Sequence, residues 1–297
     1  MKIMITGANG LLGQHLVKEL KEAGYAILAT GKGEDRLPSL GGTGTYRYSS
    51  LDIADKTAVE ATMSREKPDV VIHAAAVTQL DECELDQDRC FSVNVGGTSN
   101  IIVAAENHAG HLVYLSTDFV FDGERGNYAE DDPLNPVSWY GFTKVRAETT
   151  VGAAKIPWAI VRTCLVYGNT LQGTRSNIIT WVKEKLENKE RIKVVSDQVR
   201  TPTYVADLAK GIRLIVGKRA QGIFHISGKD TLTPYEIALK TADFFSLDKS
   251  LIEKVDASVF SQPGKRPPRT GLLIGKARKE LGFEPLGFEE GLKTMWG

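Results

Sequence analysis

Lys2-Ile3-Met4-Ile5-Thr6-Gly7-Ala8-Asn9-Gly10-Leu11-Leu12-Gly13 opens the chain and decides how the rest of it is read. Residues 2–6 carry the apolar run of a short buried strand. From Leu11 onward apolar residues recur at helical spacing (Leu12, Leu16, Val17, Leu20), and Gly24 closes the helix. A strand, a glycine turn and a helix in that order form the setting in which a dinucleotide fingerprint works. Gly7 permits the tight turn, Gly10 leaves room for a pyrophosphate against the backbone, and Gly13 lets helix and strand pack closely. The free amides and the dipole at the helix start then supply an anion site. The spacing is GxxGxxG rather than GxGxxG. The alternative is an ordinary strand-to-helix turn, against which the N-terminal position and the flanking elements favour binding.

Working outward, strands are expected over residues 25–30, 46–51, 69–76, 111–115 and 158–163, with helices over 56–65 and 86–107. Asn135-Pro136 reads as the N-cap and first-turn residue of the helix that carries Tyr140 and Lys144. Such alternation predicts an α/β fold with a doubly wound parallel (Rossmann) sheet. After Tyr167-Gly168 the polar, glycine-bearing stretch 169–176 marks a crossing into a smaller C-terminal substrate domain. Helices are expected over 178–186 and 205–216, and residues 222–226 read as a strand returning to the main sheet. Thr233-Pro234-Tyr235-Glu236 is a capping box with proline at the first helical position, so a helix to about residue 245 is expected. The basic run Gly264-Lys265-Arg266-Pro267-Pro268-Arg269 can be neither regular helix nor central strand. It reads as a solvated loop or as a clamp for a substrate diphosphate. Short helices over 275–281 and 288–295 complete the expected elements.

The 297 residues hold 37 Lys+Arg against 37 Asp+Glu, so no global field favours nucleic acid or an anionic membrane. The first residues are too short an apolar run for a signal peptide, and no stretch approaches a membrane span. Cys83, Cys90 and Cys164 lack CxxC spacing and the five histidines make no ligand motif. Neither metal nor disulfide is therefore expected, and a reducing cytoplasm is the default location. The second strand runs into Thr30-Gly31-Lys32 without the acid that holds ribose hydroxyls in NAD sites. Lys32, with Arg36 beyond it, suits a 2′-phosphate, so NADP(H) is preferred; Glu34 and Asp35 lie close by and leave NAD(H) open. The NADP-binding domain is then assigned to residues 1–168 and 203–228, and the substrate domain to 169–202 and 229–297.

Tyr140-Gly141-Phe142-Thr143-Lys144 places a phenol and an ammonium one helical turn apart on a shared face. A phenol titrates near ~10 in water, so at neutral pH it is an acid. A neighbouring ammonium favours the phenolate and lowers that value, which suits proton donation to a developing alkoxide. Residues 111–115 deliver Ser116-Thr117-Asp118-Phe119-Val120-Phe121-Asp122-Gly123 to the carboxyl end of a strand, where parallel sheets bind ligands.

With these pieces placed, the chain resembles an extended short-chain dehydrogenase/reductase over essentially its whole length, most like the dTDP-4-dehydrorhamnose reductase branch. The likeness rests on residues 6–13, His73-Ala74-Ala75-Ala76, Val93-Asn94, residues 116–123 and Tyr140 to Lys144. It implies a catalytic triad of Thr117, Tyr140 and Lys144, and hydride delivery from NADPH to the ketone of a nucleotide sugar. It implies a cofactor path along Gly7, Asn9, Gly10, Leu11, Leu12 and Gly13, then Lys32, Asp52, Ile53, Ala74, Ala75, Ala76 and Asn94, ending at Tyr140 and Lys144. Thr78, Asp118 and Phe121 are implied as substrate contacts, with Arg200 and Arg266 as the cations for a diphosphate; a homodimer is also compatible. Dehydratases of this superfamily carry an acid pair after the threonine, whereas Phe119 follows Thr117-Asp118 here, which argues against dehydration. The rhamnose-forming reductases carry a tryptophan where this chain has Leu165, so the particular sugar is left open. The same branch resembles the regulatory subunit of methionine adenosyltransferase, which makes a non-catalytic NADP-binding regulator the alternative.

Overall fold

The computed structural model describes residues 1–37, 42–169 and 176–297; the expected crossing at 169–176 therefore lies almost wholly outside the described residues. The chain begins β1 (Lys2–Thr6), α1 (Leu11–Glu22), β2 (Ala26–Gly31), β3 (Tyr46–Ser50), α2 (Lys56–Glu66) and β4 (Val70–His73). It continues α3 (Leu80–Leu85), α4 (Gln87–Phe91), a π-helical turn (Ser92–Gly97), α5 (Thr98–His108), β5 (Leu112–Thr117), α6 (Trp139–Gly152) and β6 (Trp158–Thr163). Then come β7 (Val166–Tyr167), α7 (Ile178–Glu187), β8 (Ile192–Val195), β9 (Thr203–Tyr204), α8 (Val205–Lys218) and β10 (Gly222–His225). The last elements are α9 (Pro234–Phe244), β11 (Ile252–Val255), a π-helical segment (Ala277–Leu281) and α10 (Phe288–Trp296).

Seven strands form one sheet in the order β10-β6-β5-β4-β1-β2-β3, and every pairing in it is parallel. The doubly wound sheet expected from the alternation is thus present, with β10 returning beside β6. Alternate residues of β1 bury to opposite faces, as strand geometry dictates. Ile3 and Ile5 join Leu16, Val17 and Leu20 of α1 and Ile212, Ile215 and Val216 of α8 in one core. Met4 joins Val59 and Met63 of α2 and Ile101 and Ile102 of α5 in the other. Ala277, Leu281 and Phe283, late in the chain, return to the first core. A second lobe is built on α7 and α9 over the parallel pair β8–β11, with Val182, Leu186, Val194, Ala238 and Ala242 inside it.

Four expectations are corrected. The fourth strand stops at His73, and the alanines after it run as irregular chain. The long helix over 86–107 is interrupted by the Ser92–Gly97 π-turn and preceded by α3. The N-cap of α6 is Ser138, whose Oγ accepts the Gly141 N–H at 3.1 Å, and not Asn135. Asn135 instead donates its side-chain amide to Asp122 at 3.2 Å, and Pro136 folds back across Gly141, where an added Cβ would come within 2.9 Å of the proline ring. Lastly, Cys83 and Cys90 form a disulfide, their Cα atoms 5.2 Å apart. The break at Asp86, which caps α4, turns α3 against α4 and brings together two residues that a continuous helix would hold apart. Among the described residues no group of three His, Cys, Asp or Glu side chains could hold a metal ion, and no helix is long and apolar enough to cross a membrane.

The glycine turn is the tightest point of the sheet–helix packing. A Cβ on Gly13 would lie 2.6 Å from Ala8 Cα and closer still to the Gly7 carbonyl, both backbone atoms that cannot rotate away. Gly13→Ala is expected to cost about 1–3 kcal/mol through this overpacking. The thermal unfolding midpoint of the purified variant should fall accordingly, and an unchanged midpoint contradicts the packing argument.

Candidate active site

Because β2 and β3 extend the sheet from one side of β1 and β4 begins on the other, the strand order reverses between β1 and β4. The crevice beyond the carboxyl ends of those two strands is where an open α/β sheet binds its ligand. Its floor is bare backbone. Gly7, at φ +75°, lies so close that a Cβ there would stand 2.8 Å from Ala75 N and 2.9 Å from Ala74 C. Thr6 ties the two segments, its carbonyl accepting Ala74 N–H at 3.3 Å and its hydroxyl accepting Ala75 N–H at 3.2 Å. Gly10 is the N-cap of α1, is exposed, and provides no side chain to cap the helix. The first amides of a twelve-residue helix thus face an open backbone cradle, and that donor set fits the pyrophosphate of a dinucleotide.

Asn9 is a lock rather than an open donor. Its amide donates to Glu34 O at 2.9 Å and Tyr48 Oη at 2.9 Å, while its oxygen accepts Arg36 N–H at 3.1 Å, pinning the glycine turn to the segment after β2. Lys32 stands beyond β2 as expected, but its ammonium pairs with Asp52 at 2.6 Å, so a cation and an acid share this edge. Leu11 and Leu12 are half-buried at the start of α1, and Ile53 is buried against Gly97. Asn94, in the π-turn, is buried and clamps Val77 from both sides, accepting Val77 N–H at 2.8 Å and donating to Val77 O at 3.0 Å. It also donates to Thr143 Oγ1 at 3.1 Å, joining the 74–79 segment to α6.

The structure brings the three triad candidates together. Thr117 ends β5 and Tyr140 sits in the first turn of α6, with the Thr117 hydroxyl close enough to bear on the phenol. Lys144 follows one turn on, buried, with Nζ donating to Leu115 O at 2.6 Å and lying 4.2 Å over the Tyr114 ring. Its charge state differs from the expectation. Burial, followed by the negative charge of Asp118, pushes the Tyr140 phenol above its ordinary value, against the opposing influence of the Thr117 hydroxyl. Lys144 does not hold that value low, because the phenol is packed among Leu80, Cys83 and Cys90 and the ammonium is directed at a backbone carbonyl. Burial in turn draws Lys144 down to about 7, with Glu148 acting against it.

The expected substrate contacts fare unevenly. Thr78 lies exposed in the segment after β4. Phe121 is fully buried, stacked on Tyr128 at 4.1 Å between centroids, and is a core residue. Asp118 is buried and spent internally, accepting Thr117 Oγ1–H at 2.9 Å, Cys164 Sγ–H at 3.1 Å and the Thr270 hydroxyl; it buttresses Thr117. Arg200 donates to Val199 O and Pro268 O and lies 5.6 Å from the Phe119 ring. Arg266 grips Asp81 with two bonds of 3.0 and 2.7 Å, and holds that carboxyl below its usual range. The 264–269 segment is therefore a strap fastened to α3 rather than a loose loop. Leu165, where the sequence departs from the tryptophan of the rhamnose-forming reductases, adopts a left-handed φ of +39°. A leucine there costs about 1–3 kcal/mol, a strain that concentrates at functional sites.

Sequence reading missed Glu148 and Arg162, a fully buried ion pair at 2.7 Å behind Lys144. The signal was present, since Glu148 stands four residues beyond Lys144 on its helical face. It also missed Thr270, which reaches Asp118 from 152 residues away and leaves no local trace.

The dTDP-4-dehydrorhamnose reductase of Aggregatibacter actinomycetemcomitans is 30% identical over 307 residues, covering 99% of this chain and 98% of that one. Methionine adenosyltransferase 2 subunit beta of Xenopus tropicalis is 33% identical over 303 residues, covering 99% and 87%. The crystal structure of dTDP-4-dehydrorhamnose reductase from Bacillus anthracis in complex with NADP superposes with a TM-score of 0.86 at 29% identity, covering 99% and 98%. The pattern described as RmlD substrate binding domain matches residues 1–297, and to that family the chain belongs.

Proposed function

We propose that this protein is an NADPH-dependent reductase of a 4-keto nucleotide sugar, an extended short-chain dehydrogenase/reductase with Thr117, Tyr140 and Lys144 as its catalytic residues. The observation that carries the reading is the convergence of Thr117, a buried Tyr140 and a buried lysine one turn further along, at the carboxyl end of a parallel sheet. The NADP held by the Bacillus anthracis relative supports the choice of cofactor, and the glycine turn also fits NAD(H). A bound nicotinamide dinucleotide supplies the hydride. The Gly7–Gly13 turn and the α1 amides would hold its diphosphate, and Ala74, Ala75 and Ala76 would leave it space along the crevice.

The remaining chemistry belongs to side chains. Burial keeps the Tyr140 phenol protonated across the working pH range, so it is ready to donate as negative charge builds on the ketone oxygen. Thr117, whose hydroxyl donates to Asp118 in this structure, would turn that proton to the same oxygen. Lys144 offers positive charge to the phenolate left behind and a donor to the nicotinamide ribose. Leu165 offers the sugar no aromatic face, so reduction of dTDP-4-keto-rhamnose is expected to be weaker than in a tryptophan-bearing relative.

A second reading follows from the 33% identity to methionine adenosyltransferase 2 subunit beta: a non-catalytic, NADP-binding partner of another protein. Anaerobic incubation with NADPH and a panel of 4-keto nucleotide sugars separates the two. Consumption of NADPH with one of them supports the reductase. No turnover with any, together with stable co-purification of a partner, supports the regulator.

Tyr140→Phe is expected to depress turnover by about two to four orders of magnitude while leaving NADPH affinity nearly intact. Near-normal turnover would show that another acid is used. Lys32→Ala removes the cation and frees the Asp52 carboxylate to repel a 2′-phosphate and accept ribose hydroxyls. NADPH should bind more tightly than NADH to the unmodified protein, and the variant should narrow or reverse that order. Equal affinities in a fluorescence titration of the unmodified protein would refute the preference.

A further inference from the structure

Lys144 is a buried cation, and each element packed around it presents a group that bears on its charge. From β4 comes His73, hydrogen-bonded to Thr6 Oγ1 at 2.7 Å and Thr98 Oγ1 at 3.0 Å. Burial, then the charge of Lys144, draws that imidazole down to about 3, so it is neutral. From β5 comes the Tyr114 ring, whose hydroxyl burial pushes well up, so it is neutral too. On α6 itself, Tyr140 is protonated on one side, and Glu148 stands one turn beyond on the other.

Glu148 does not stand alone. Ser116 and Arg162 are register partners on the adjacent strands β5 and β6, and both turn to its carboxylate. The Ser116 hydroxyl donates to Oε1, Arg162 Nε donates at 3.0 and 3.2 Å, and Nη2 donates at 2.7 Å. Arg162 is 1% exposed and Glu148 5%. A pair so buried adds little stability over a well-packed apolar one, and breaking it by removing one partner is costly. Its arrangement does supply something an apolar pair lacks. Glu148 lies one turn from Lys144 on α6 and the two side chains reach successive residues of β5, Ser116 and Leu115, while the guanidinium is held on β6 and also donates to Glu130 O at 3.1 Å.

We infer that Glu148, oriented by Arg162 and Ser116, is a positioning residue that keeps Lys144 an ammonium in its buried setting. The network also fixes the strand end that carries Thr117, since Ser116 is its neighbour. The inference rests on the proposed roles of Tyr140 and Lys144. Without the carboxylate, Lys144 would face the unbalanced charge of Arg162 and shed its proton at lower pH.

The test uses the full-length protein with NADP bound and follows the Lys144 ε-carbon by 13C NMR, the resonance being assigned by its loss in Lys144→Arg. Glu148→Gln should move the Lys144 titration down by about one pH unit or more. Glu148→Asp, which keeps the charge, should recover most of that shift. The alkaline limb of the kcat/KM profile for the ketone should move down by the same interval. Should Glu148→Gln fail to fold, Glu148→Gln/Arg162→Gln removes both charges without stranding a guanidinium, and Lys144 should still titrate lower than in the unmodified protein. An unmoved Lys144 titration, with the rate falling equally at every pH, overturns the inference and leaves the pair a structural staple. Absence of turnover on every sugar tests the reductase reading instead, because the NMR titration needs no substrate.

Discussion

Gly7 meets the backbone of Ala74 and Ala75 with no room for a β-carbon, and much of the molecule follows from that contact. It forces the first turn into a left-handed conformation that glycine adopts without penalty. It brings the segments after β1 and β4 to one line at the point where the strand order reverses. Gly13 repeats the constraint one helical turn later, seating α1 on the Gly7 carbonyl. Two glycines and two alanines thus make a groove whose floor is peptide, so the donors facing it are backbone amides. Such a floor suits a diphosphate through geometry and dipoles rather than through side chains.

Beyond that groove α6, which carries Tyr140 and Lys144, is held from three directions. Asn94 ties Thr143 to the segment after β4, Glu148 ties the middle of α6 to β5 and β6, and Ser138 caps its start. α3 packs beside Tyr140 through Leu80 and Cys83, and the Cys83–Cys90 disulfide fixes it to α4. The same short helix receives the strap, through Asp81 and Arg266 and through Gly264 pressed on Leu80. Movement of the strap would therefore be felt at the phenol through one intervening layer. The two arginines that read as diphosphate cations work as fasteners of that strap, Arg266 through Asp81 and Arg200 through Pro268 O.

How much of this was legible depended on range. The seven-stranded sheet rests on repeated local signals, each strand an apolar run and each helix a 3.6 period, and most of those elements fall where the pattern puts them. The small strands β7, β8, β9 and β11 are two to four residues long and carry no period of their own. Ser138 was overlooked because Asn135-Pro136 offered the stronger local signal, and only the fold of Pro136 over Gly141 decides between them. In the site, Tyr140 and Lys144 were visible because their relation is a helical turn. Asp118 and Phe121 were placed in the right segment, yet their contacts lie with Thr270 and Tyr128, and no spacing encodes which face of an irregular segment turns inward.

The sequence argument for the tyrosine was that a lysine one turn away makes it more acidic. Burial reverses the emphasis. A phenol and an ammonium in the same dry pocket are both driven toward their neutral forms, the one upward and the other down to about 7. For an oxidation, which needs the phenolate as a base, that environment is unfavourable. Ketone reduction needs the proton already in place, and a phenol that resists ionisation until charge appears on the substrate oxygen supplies it. In the proposed mechanism the positive charge of Lys144 matters at the end of the step, when a phenolate would form where Asp118 already repels negative charge. The direction of the chemistry is thus written less in the identity of the triad than in the dryness of the pocket, and in the anion that keeps its lysine charged.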